Sequence, residues 1–172
     1  MPTAALTMKA HPSSAQSRPR LPTIDDDTWV IAAPFRAHVA HLMRATSLPW
    51  PVIAHQANVP LATIRTPLYG RGGRLRPKII RSSARRLINL RAEDLTWVRV
   101  VQVSAEETGS RIRRLRAKGV NWSTLGGFLG LDVGTCQAIA QGRQQTCSAM
   151  VSILARVACE LNHAWASEDG CP

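Results

Sequence analysis

A 31-residue pattern occurs twice in this chain, at residues 41–71 and again at residues 113–143, and the two copies align without a gap. Six positions are identical, and they include the tryptophan pair Trp50 and Trp122. In both copies, apolar residues recur at helical spacing on either side of a short stretch that contains asparagine or glycine. A repeated supersecondary unit is therefore the strongest constraint that the sequence places on the fold.

The spacing of three positions in each copy matches a helix-turn-helix. Two short helices that cross closely need a small residue in the first helix, a turn residue that tolerates a left-handed backbone, and an apolar residue that locks the second helix. These positions are Ala54, Asn58 and Ile64 in the first copy, and Gly126, Gly130 and Cys136 in the second. Because both copies share the same spacing, the sequence predicts two helix-turn-helix units, which are typical of DNA-binding proteins.

Hydrophobic periodicity predicts further helices around the first motif. A helix should begin at Pro34, and Pro51 should occupy the first turn of the next, short helix, where its missing N–H does little harm. The third helix is expected over residues 61–69, ended by Gly70, and a fourth over residues 78–90.

The second copy gives a parallel series of predictions. Thr108 or Ser110 should cap a helix that ends near Lys118, and Asp132 should cap the helix over residues 133–141. Another helix is expected over residues 123–129, and Thr146 should cap the last one. Residues 97–103 have a strand-like composition, so we expect an extended linker or a short hairpin between the copies.

These patterns divide the chain into five predicted segments. They are a disordered N-terminal arm (1–28), a first helix-turn-helix unit (29–92), a linker (93–107), a second unit (108–165) and a tail (166–172). The arm is predicted from its Ala, Ser, Thr and Pro content. The predicted fold class is all-α, with two tandem helical units joined by an extended linker.

The charge of the chain favours a polyanionic partner. Lys and Arg total 22 against 11 Asp and Glu, which gives a net charge of +11. Nine basic residues and no acidic residue fall between positions 65 and 91. A phosphate-binding surface explains this run, because Lys and Arg that neutralise phosphates release condensed counterions. The alternative explanation is a solvated face of a helix.

Several other classes of protein have little support in the sequence. No apolar run reaches 18 residues and no secretory signal follows Met1, so we expect a cytoplasmic, nucleoid-associated protein without a membrane partner. The four cysteines form no CxxC pair, which favours unpaired thiols. Cys159 and His163 lack a third ligand for zinc. We expect no enzyme activity, no cofactor, no metal and no small-molecule ligand.

Short phrases in both copies resemble the lambda-repressor-like (Cro-type) helix-turn-helix proteins, and in particular the tandem versions common in actinobacteria and their phages. The opening phrases are Leu48-Pro49-Trp50 and Gly119-Val120-Asn121-Trp122-Ser123, and the closing phrases are Leu68-Tyr69-Gly70 and Ala140-Gln141-Gly142. The resemblance extends over residues 34–161. It implies a regulator of promoters or of a mobile element, and a repressor by analogy.

The resemblance also implies which residues contact DNA, because the third helix of each such unit enters the major groove. The implied base contacts are Leu61, Ala62, Arg65 and Thr66 in the first unit, and Val133, Gln137 and Gln141 in the second. Arg65 suits guanine and Gln137 suits adenine. The implied phosphate contacts are Arg71, Arg74, Arg76, Lys78, Arg81 and Arg143.

Two departures from the family pattern leave alternatives open. Pro67 falls inside the first recognition helix, and Pro60 stands where a capping Ser or Asp is usual. The second recognition helix carries neither Arg nor Lys, so one unit could serve packing or dimerisation instead. We expect a sequence-specific regulator of double-stranded DNA that acts as a monomer or homodimer. The alternatives are a protein that binds RNA polymerase or another regulator, and a non-specific DNA binder.

Overall fold

The computed structural model describes residues 28–70 and 74–168, with side chains described through residue 161. The described chain is mostly helical with a few short strands, so the predicted helical class is confirmed in this coarser form. The prediction of an all-α fold omitted the strands. The predicted arm over residues 1–27 and the phosphate contact Arg71 lie outside the described residues.

The first half of the described chain has the order strand, three helices, strand, helix. Its elements are β1 (Trp29–Ile31), α1 (Ala33–Thr46), α2 (Trp50–Gln56), α3 (Leu61–Tyr69), β2 (Lys78–Ile80) and α4 (Arg81–Ile88). The predicted third helix is confirmed at both ends. The predicted fourth helix begins three residues late, because residues 78–80 form β2 instead.

The second half repeats the same order of elements. It consists of β3 (Gln102–Ser104), α6 (Glu106–Ala117), α7 (Trp122–Leu129), α8 (Val133–Ala140), β4 (Thr146–Ser148) and α9 (Ala149–Glu168). The predictions that Thr108 or Ser110 caps α6 and that Thr146 caps the last helix are wrong, because α6 begins at Glu106 and Thr146 lies in β4.

An antiparallel strand pair joins the start of each half to the strand before its last helix. Val30 pairs with Ile79 in the β1–β2 ribbon, and Val103 pairs with Cys147 in the β3–β4 ribbon. Ile79 and Cys147 are buried, so each ribbon contributes to the core as well as closing its unit. Pairing across more than 40 residues cannot be read from local periodicity, which is why the sequence suggested helix at both places.

The connection between the halves is packed and differs from the predicted extended linker or short hairpin, since only residues 102–104 of the strand-like stretch form a strand. A 3₁₀ turn (Glu93–Leu95) and the short helix α5 (Trp97–Val100) precede β3. Leu95 and Val98 are fully buried. They lie three residues apart and share a helical face, so burying both favours helix over the strand that the β-branched composition suggested.

The last helix, α9, holds the two halves together. It contacts α6, α7 and α5, and it also packs against α2 of the first half. Buried side chains from both halves form one contiguous core. α9 runs to Glu168, beyond the predicted end of the second unit at residue 165. None of the described helices has both the length and the apolar character needed to cross a membrane.

Candidate nucleic-acid interface

The turns between α2 and α3 and between α7 and α8 have the same backbone geometry. Asn58 and Gly130 adopt left-handed conformations, with φ values of 51° and 68°. In each turn, the next residue donates its backbone N–H to the carbonyl oxygen five residues earlier, over 3.0 Å in the first turn and 2.9 Å in the second. The predicted left-handed backbone at both turn residues is therefore confirmed.

Both motifs also have the predicted small residue in the first helix and the predicted buried apolar residue in the second helix. Ala54 is fully buried, and a Cβ at Gly126 would lie only 2.7 Å from the carbonyl oxygen of Leu131. A larger residue at either position would separate the helix from the turn. Ile64 and Cys136 have exposed fractions of 2% and 0%. Their predicted burial is confirmed, and it fixes the orientation of α3 and α8.

The two halves differ in how these helices begin. Asn121 caps α7, and Asp132 caps α8 by accepting the backbone N–H of Thr135 at 2.9 Å. The Thr135 hydroxyl also donates to the Asp132 carboxylate, and these hydrogen bonds hold the pKa of Asp132 below its ordinary value. Pro49 and Pro60 occupy the equivalent positions of the first half, and neither supplies a side-chain cap. The first N–H groups of α3 therefore lack a capping side-chain acceptor.

The outer face of α3 carries one unpaired cation. Ala62, Arg65 and Tyr69 are exposed, whereas Leu61 and Thr66 are half-buried. The Thr66 hydroxyl donates to the carbonyl oxygen of Ala62 at 3.1 Å, so its proton is already engaged. Arg65 makes no hydrogen bond or ion pair with another described residue. Of the four predicted base contacts on α3, Arg65 is therefore the one whose charge is free for a ligand.

Proline inside α3 does not end the helix. Pro67 is buried, and the helix continues through Tyr69, whose ring centroid lies 6.0 Å from that of Trp50. Gly70 then turns the chain with φ of 78°, and a Cβ there would lie 2.7 Å from the carbonyl oxygen of Arg74. Glycine is required at this position because both the backbone angle and the close approach exclude a side chain.

The outer face of α8 is polar but uncharged. Val133 and Gln141 are exposed, and Gln137 is half-buried. The guanidinium of Arg113 donates to the carbonyl oxygen of Ala140 at the end of the helix, so this nearby cation is used within the fold. The three predicted base contacts of the second half therefore offer amides and one apolar side chain.

Most of the predicted phosphate contacts in the described chain are exposed cations. Arg74, Arg76, Lys78 and Arg143 are exposed, and Arg81 is half-buried. The guanidinium of Arg76 lies 5.0 Å from the ring centroid of Trp29, a cation–π contact that orients it. The only ion pair among the described side chains joins other residues, so no described carboxylate neutralises these cations.

A second cluster of cations, on α6, is largely used inside the fold. Arg111 pairs with Glu107, and Arg113 also donates to the hydroxyl of Ser110 at 2.9 Å. The guanidinium of Arg116 donates to the carbonyl oxygen of Val120 and stacks over a tryptophan ring. Only Arg114 and Lys118 of this cluster remain exposed without such partners. The α6 cluster is therefore a weaker candidate for binding phosphate than the segment around β2.

The described cysteines are free thiols. Cys136 and Cys147 are buried and Cys159 is half-buried, and none of the three is in a disulfide. Burial raises the pKa of the Cys136 and Cys159 thiols, which disfavours the reactive thiolate. Among the described residues, no three His, Cys, Asp or Glu side chains are grouped as a metal site would need.

The structure also brings together residues whose proximity the sequence did not predict. A cleft of about 520 Å³ is lined by His55 of α2, Asn58 of the turn that follows, Arg86 of α4 and Arg156 of α9. His55 and Arg156 are 101 positions apart in the chain. The only local sequence feature that could have indicated this cleft is the i, i+4 spacing of Arg156 and Glu160 on α9. Such spacing usually marks a solvated helix face.

Comparison of the chain with protein-family models, characterised proteins and solved structures gave no match in any of the three.

Proposed function

We propose that this protein is a transcriptional regulator that binds double-stranded DNA in a sequence-specific way, with α2–α3 and α7–α8 as two helix-turn-helix units. One observation carries the proposal. The same turn, with a left-handed residue and the same backbone hydrogen bond, occurs twice within the same order of elements. This turn sets the crossing of two short helices so that the second can project from the protein into a major groove.

Helix α3 is the stronger base reader in this proposal. Arg65 is exposed and unpaired, so its guanidinium can make two hydrogen bonds to the O6 and N7 acceptors of guanine. Ala62 lies one turn earlier on the same face and can contact a thymine methyl group. Thr66 is a poorer candidate than the sequence suggested, because its hydroxyl already donates within the helix.

The exposed cations around β2 would supply most of the phosphate contacts. Arg74, Arg76 and Lys78 follow α3 directly, so they would lie close to the DNA backbone when α3 is in the groove. No described carboxylate pairs with them, so DNA binding would break no described ion pair. Their contribution would be independent of sequence and would fall steeply as salt concentration rises.

Helix α8 would read DNA more weakly. Gln137 and Gln141 can pair with adenine, but no cation lies on the helix itself, and the exposed Arg143 follows it in the chain. We therefore assign the larger share of affinity to the first unit. Repression follows most simply from this arrangement, since a protein that occupies a promoter blocks polymerase without any further contact.

A protein-binding role is the second candidate, and one feature favours it. The uncharged outer face of α8 begins at Val133, which is 39% exposed, and Phe128 of α7 is 37% exposed. Apolar side chains flanking a neutral helix suit a protein partner, such as RNA polymerase or another regulator, better than they suit phosphate. A non-specific DNA binder would instead use the basic segment alone.

Selection from a random double-stranded DNA library at about 150 mM salt tests the proposal. We expect an enriched motif with two parts, the stronger one containing the guanine that Arg65 reads. A single short motif would mean that α8 has a structural role. Binding with steep salt dependence and no enriched motif would contradict sequence-specific regulation and favour the non-specific binder. No binding to any DNA would favour the protein-binding role.

A further inference from the structure

The cleft between the two halves is lined by one arginine from each half. Arg86 projects from α4 of the first half and Arg156 from α9 of the second, and the α2–α3 turn lies between them. Among the described residues, Glu160 is the only carboxylate that lines the cleft, so the two guanidiniums leave an excess of positive charge. We propose that this cleft binds a phosphate-type oxyanion, carried either by a small molecule or by a nucleic-acid backbone.

The guanidinium of Arg86 is held in place by the turn itself. Its Nη1 donates to the carbonyl oxygen of Asn58 at 2.7 Å. A guanidinium has five N–H donors, so this bond fixes the group and leaves further donors for a ligand. A planar, oriented guanidinium binds the oxygens of phosphate in pairs, which a mobile surface arginine does less well.

His55, which lines the cleft, carries a buried hydrogen-bond donor that lacks an acceptor. Nη1 of Arg156 lies 3.3 Å from Nε2 of His55. Because guanidinium nitrogens only donate, Nε2 of His55 must accept, which places the imidazole proton on Nδ1. That Nδ1 atom is buried and has no hydrogen-bond partner among the described residues.

A third guanidinium near this histidine also has a buried N–H donor without an acceptor. Arg111 contributes to the positive potential at His55, and its Nη1 is the other buried side-chain nitrogen without a partner in the described structure. Both unpartnered atoms are buried donors, and Arg111 does not line the cleft, so they add positive potential rather than direct contacts to a ligand. That potential favours an anion over a cation in the cleft.

The N-terminus of α3, which has no side-chain cap, also favours a bound anion. Pro60 and Leu61 line the cleft, and Pro60 offers no side-chain acceptor to the first N–H groups of the helix. Such N–H groups, together with the helix dipole, favour a bound anion. In the second half, the carboxylate of Asp132 occupies the equivalent position, so the feature belongs to the first half alone.

The size of the cleft indicates what could carry the phosphate. A volume of about 520 Å³ is within the range of small-molecule sites, which run from about 300 to 1,000 Å³. Of the apolar residues that line it, Val59 and Val157 are buried and Leu61 is half-buried, so Leu61 offers the apolar contact to an organic group. A phosphorylated metabolite fits this combination, and a sugar–phosphate segment of DNA carries the same chemistry.

The test uses the full chain and pyrophosphate as the probe, at constant ionic strength, in calorimetric titrations without DNA. Wild-type protein should bind pyrophosphate saturably. Arg86→Gln and Arg156→Gln should each weaken binding about tenfold, the loss expected for one charged hydrogen bond. The matched control is Arg85→Gln, which removes the same charge from the neighbouring residue of α4; Arg85 is exposed like Arg86 but does not line the cleft, so affinity should change less than twofold.

Two results would overturn the proposal. The first is the absence of saturable binding to wild-type protein, and the second is an equal loss in all three variants, which would indicate general charge attraction. Nuclear magnetic resonance gives a readout that does not depend on the stability of a variant. Pyrophosphate should shift the imidazole signals of His55 and leave those of the exposed His41 unchanged, and the reverse pattern would also contradict the site.

A DNA titration then distinguishes the two sources of phosphate. If pyrophosphate weakens DNA binding by wild-type protein but not by Arg156→Gln, the DNA backbone occupies the cleft. If both proteins keep their DNA affinity at saturating pyrophosphate, a small molecule is the natural ligand. Because the pyrophosphate titration contains no DNA, the cleft site can stand even if the protein binds no DNA, and the proposed function can stand if the cleft site fails.

Discussion

Arg65 and Arg74 lie only nine positions apart and are both exposed, but they have different surroundings. Arg65 lies on the outer face of α3, where a base edge would be, whereas Arg74 lies in the loop that follows. If the helix reads DNA, the first residue should determine sequence preference and the second should contribute only charge.

We expect Arg65→Ala to relax the preference at one base pair by about 1–3 kcal/mol. Arg74→Ala should instead weaken binding to all sequences alike and lower the slope of log affinity against log salt by about 1. Binding curves on the selected motif and on its single-base variants, at several salt concentrations, give both quantities. Equal effects of the two substitutions would mean that α3 does not read bases.

His55 gives the stability of the protein a defined dependence on pH. Burial, followed by the charge of Arg156, lowers its pKa below the ordinary 6.5, although the nearby Glu160 acts in the opposite direction. As pH falls below 6.5, the unfolded chain therefore takes up a proton that the folded protein resists. The resulting stability is present above pH 6.5 and is lost as the pH falls toward the lower folded pKa.

We expect urea unfolding in phosphate-free buffer to show lower stability at pH 5 than at pH 7.5. His55→Gln should reduce this difference, because glutamine does not titrate. His41→Gln, at an exposed position, should leave the difference unchanged. A pH dependence that survives in His55→Gln would assign it to other groups.

At the scale of elements, adjacent glycines in α7 give a matched test of the α7–α8 turn. A Cβ at Gly126 would meet the carbonyl oxygen of Leu131 at 2.7 Å, whereas a Cβ at Gly127 would meet nothing within 4 Å. The two substitutions therefore share the same helix and the same gain in helix propensity but differ in the space available.

We expect Gly126→Ala to destabilise the protein by about 1–3 kcal/mol, because the turn backbone must move. Gly127→Ala should stabilise it by about 0.5–1 kcal/mol, since alanine restricts the unfolded chain. Free energies of unfolding from urea titrations measure both effects. Equal effects of the two substitutions would show that the helix and the turn are less closely packed than described.

Local and non-local elements were predictable to different degrees. The span of α3, the left-handed residues Asn58 and Gly130, and the buried Ile64 and Cys136 followed from spacing, because a tight helix crossing constrains neighbouring residues. The strands and the cleft could not be predicted from residue spacing. Their partners are far apart in the chain, and single-sequence periodicity contains no information about which distant residues meet.

At the scale of the whole molecule, the packing of α9 against α2 makes the two repeats one cooperative structure. Buried residues of both halves form one core, and Ile53 of α2 is fully buried within it. Two units on an extended linker would unfold separately, but units that share a core should unfold together.

We expect differential scanning calorimetry to show a single transition. Ile53→Ala should destabilise the protein by about 2–5 kcal/mol and move that whole transition to lower temperature. Two resolved transitions, only one of which moves, would indicate that the repeats fold independently.

Because the two halves share a core, truncated fragments are a poor way to test which half binds DNA. A fragment that ends before α9 would uncover the part of α2 that α9 contacts, in a helix whose Val52 and Ile53 are fully buried in the whole protein. Exposed apolar surface of this kind promotes aggregation. Failure of such a fragment to bind DNA would then reflect insolubility rather than the loss of a reading helix. Single substitutions in the intact chain are therefore the sound way to dissect this protein, and the first half should be regarded as dependent on the second for its solubility.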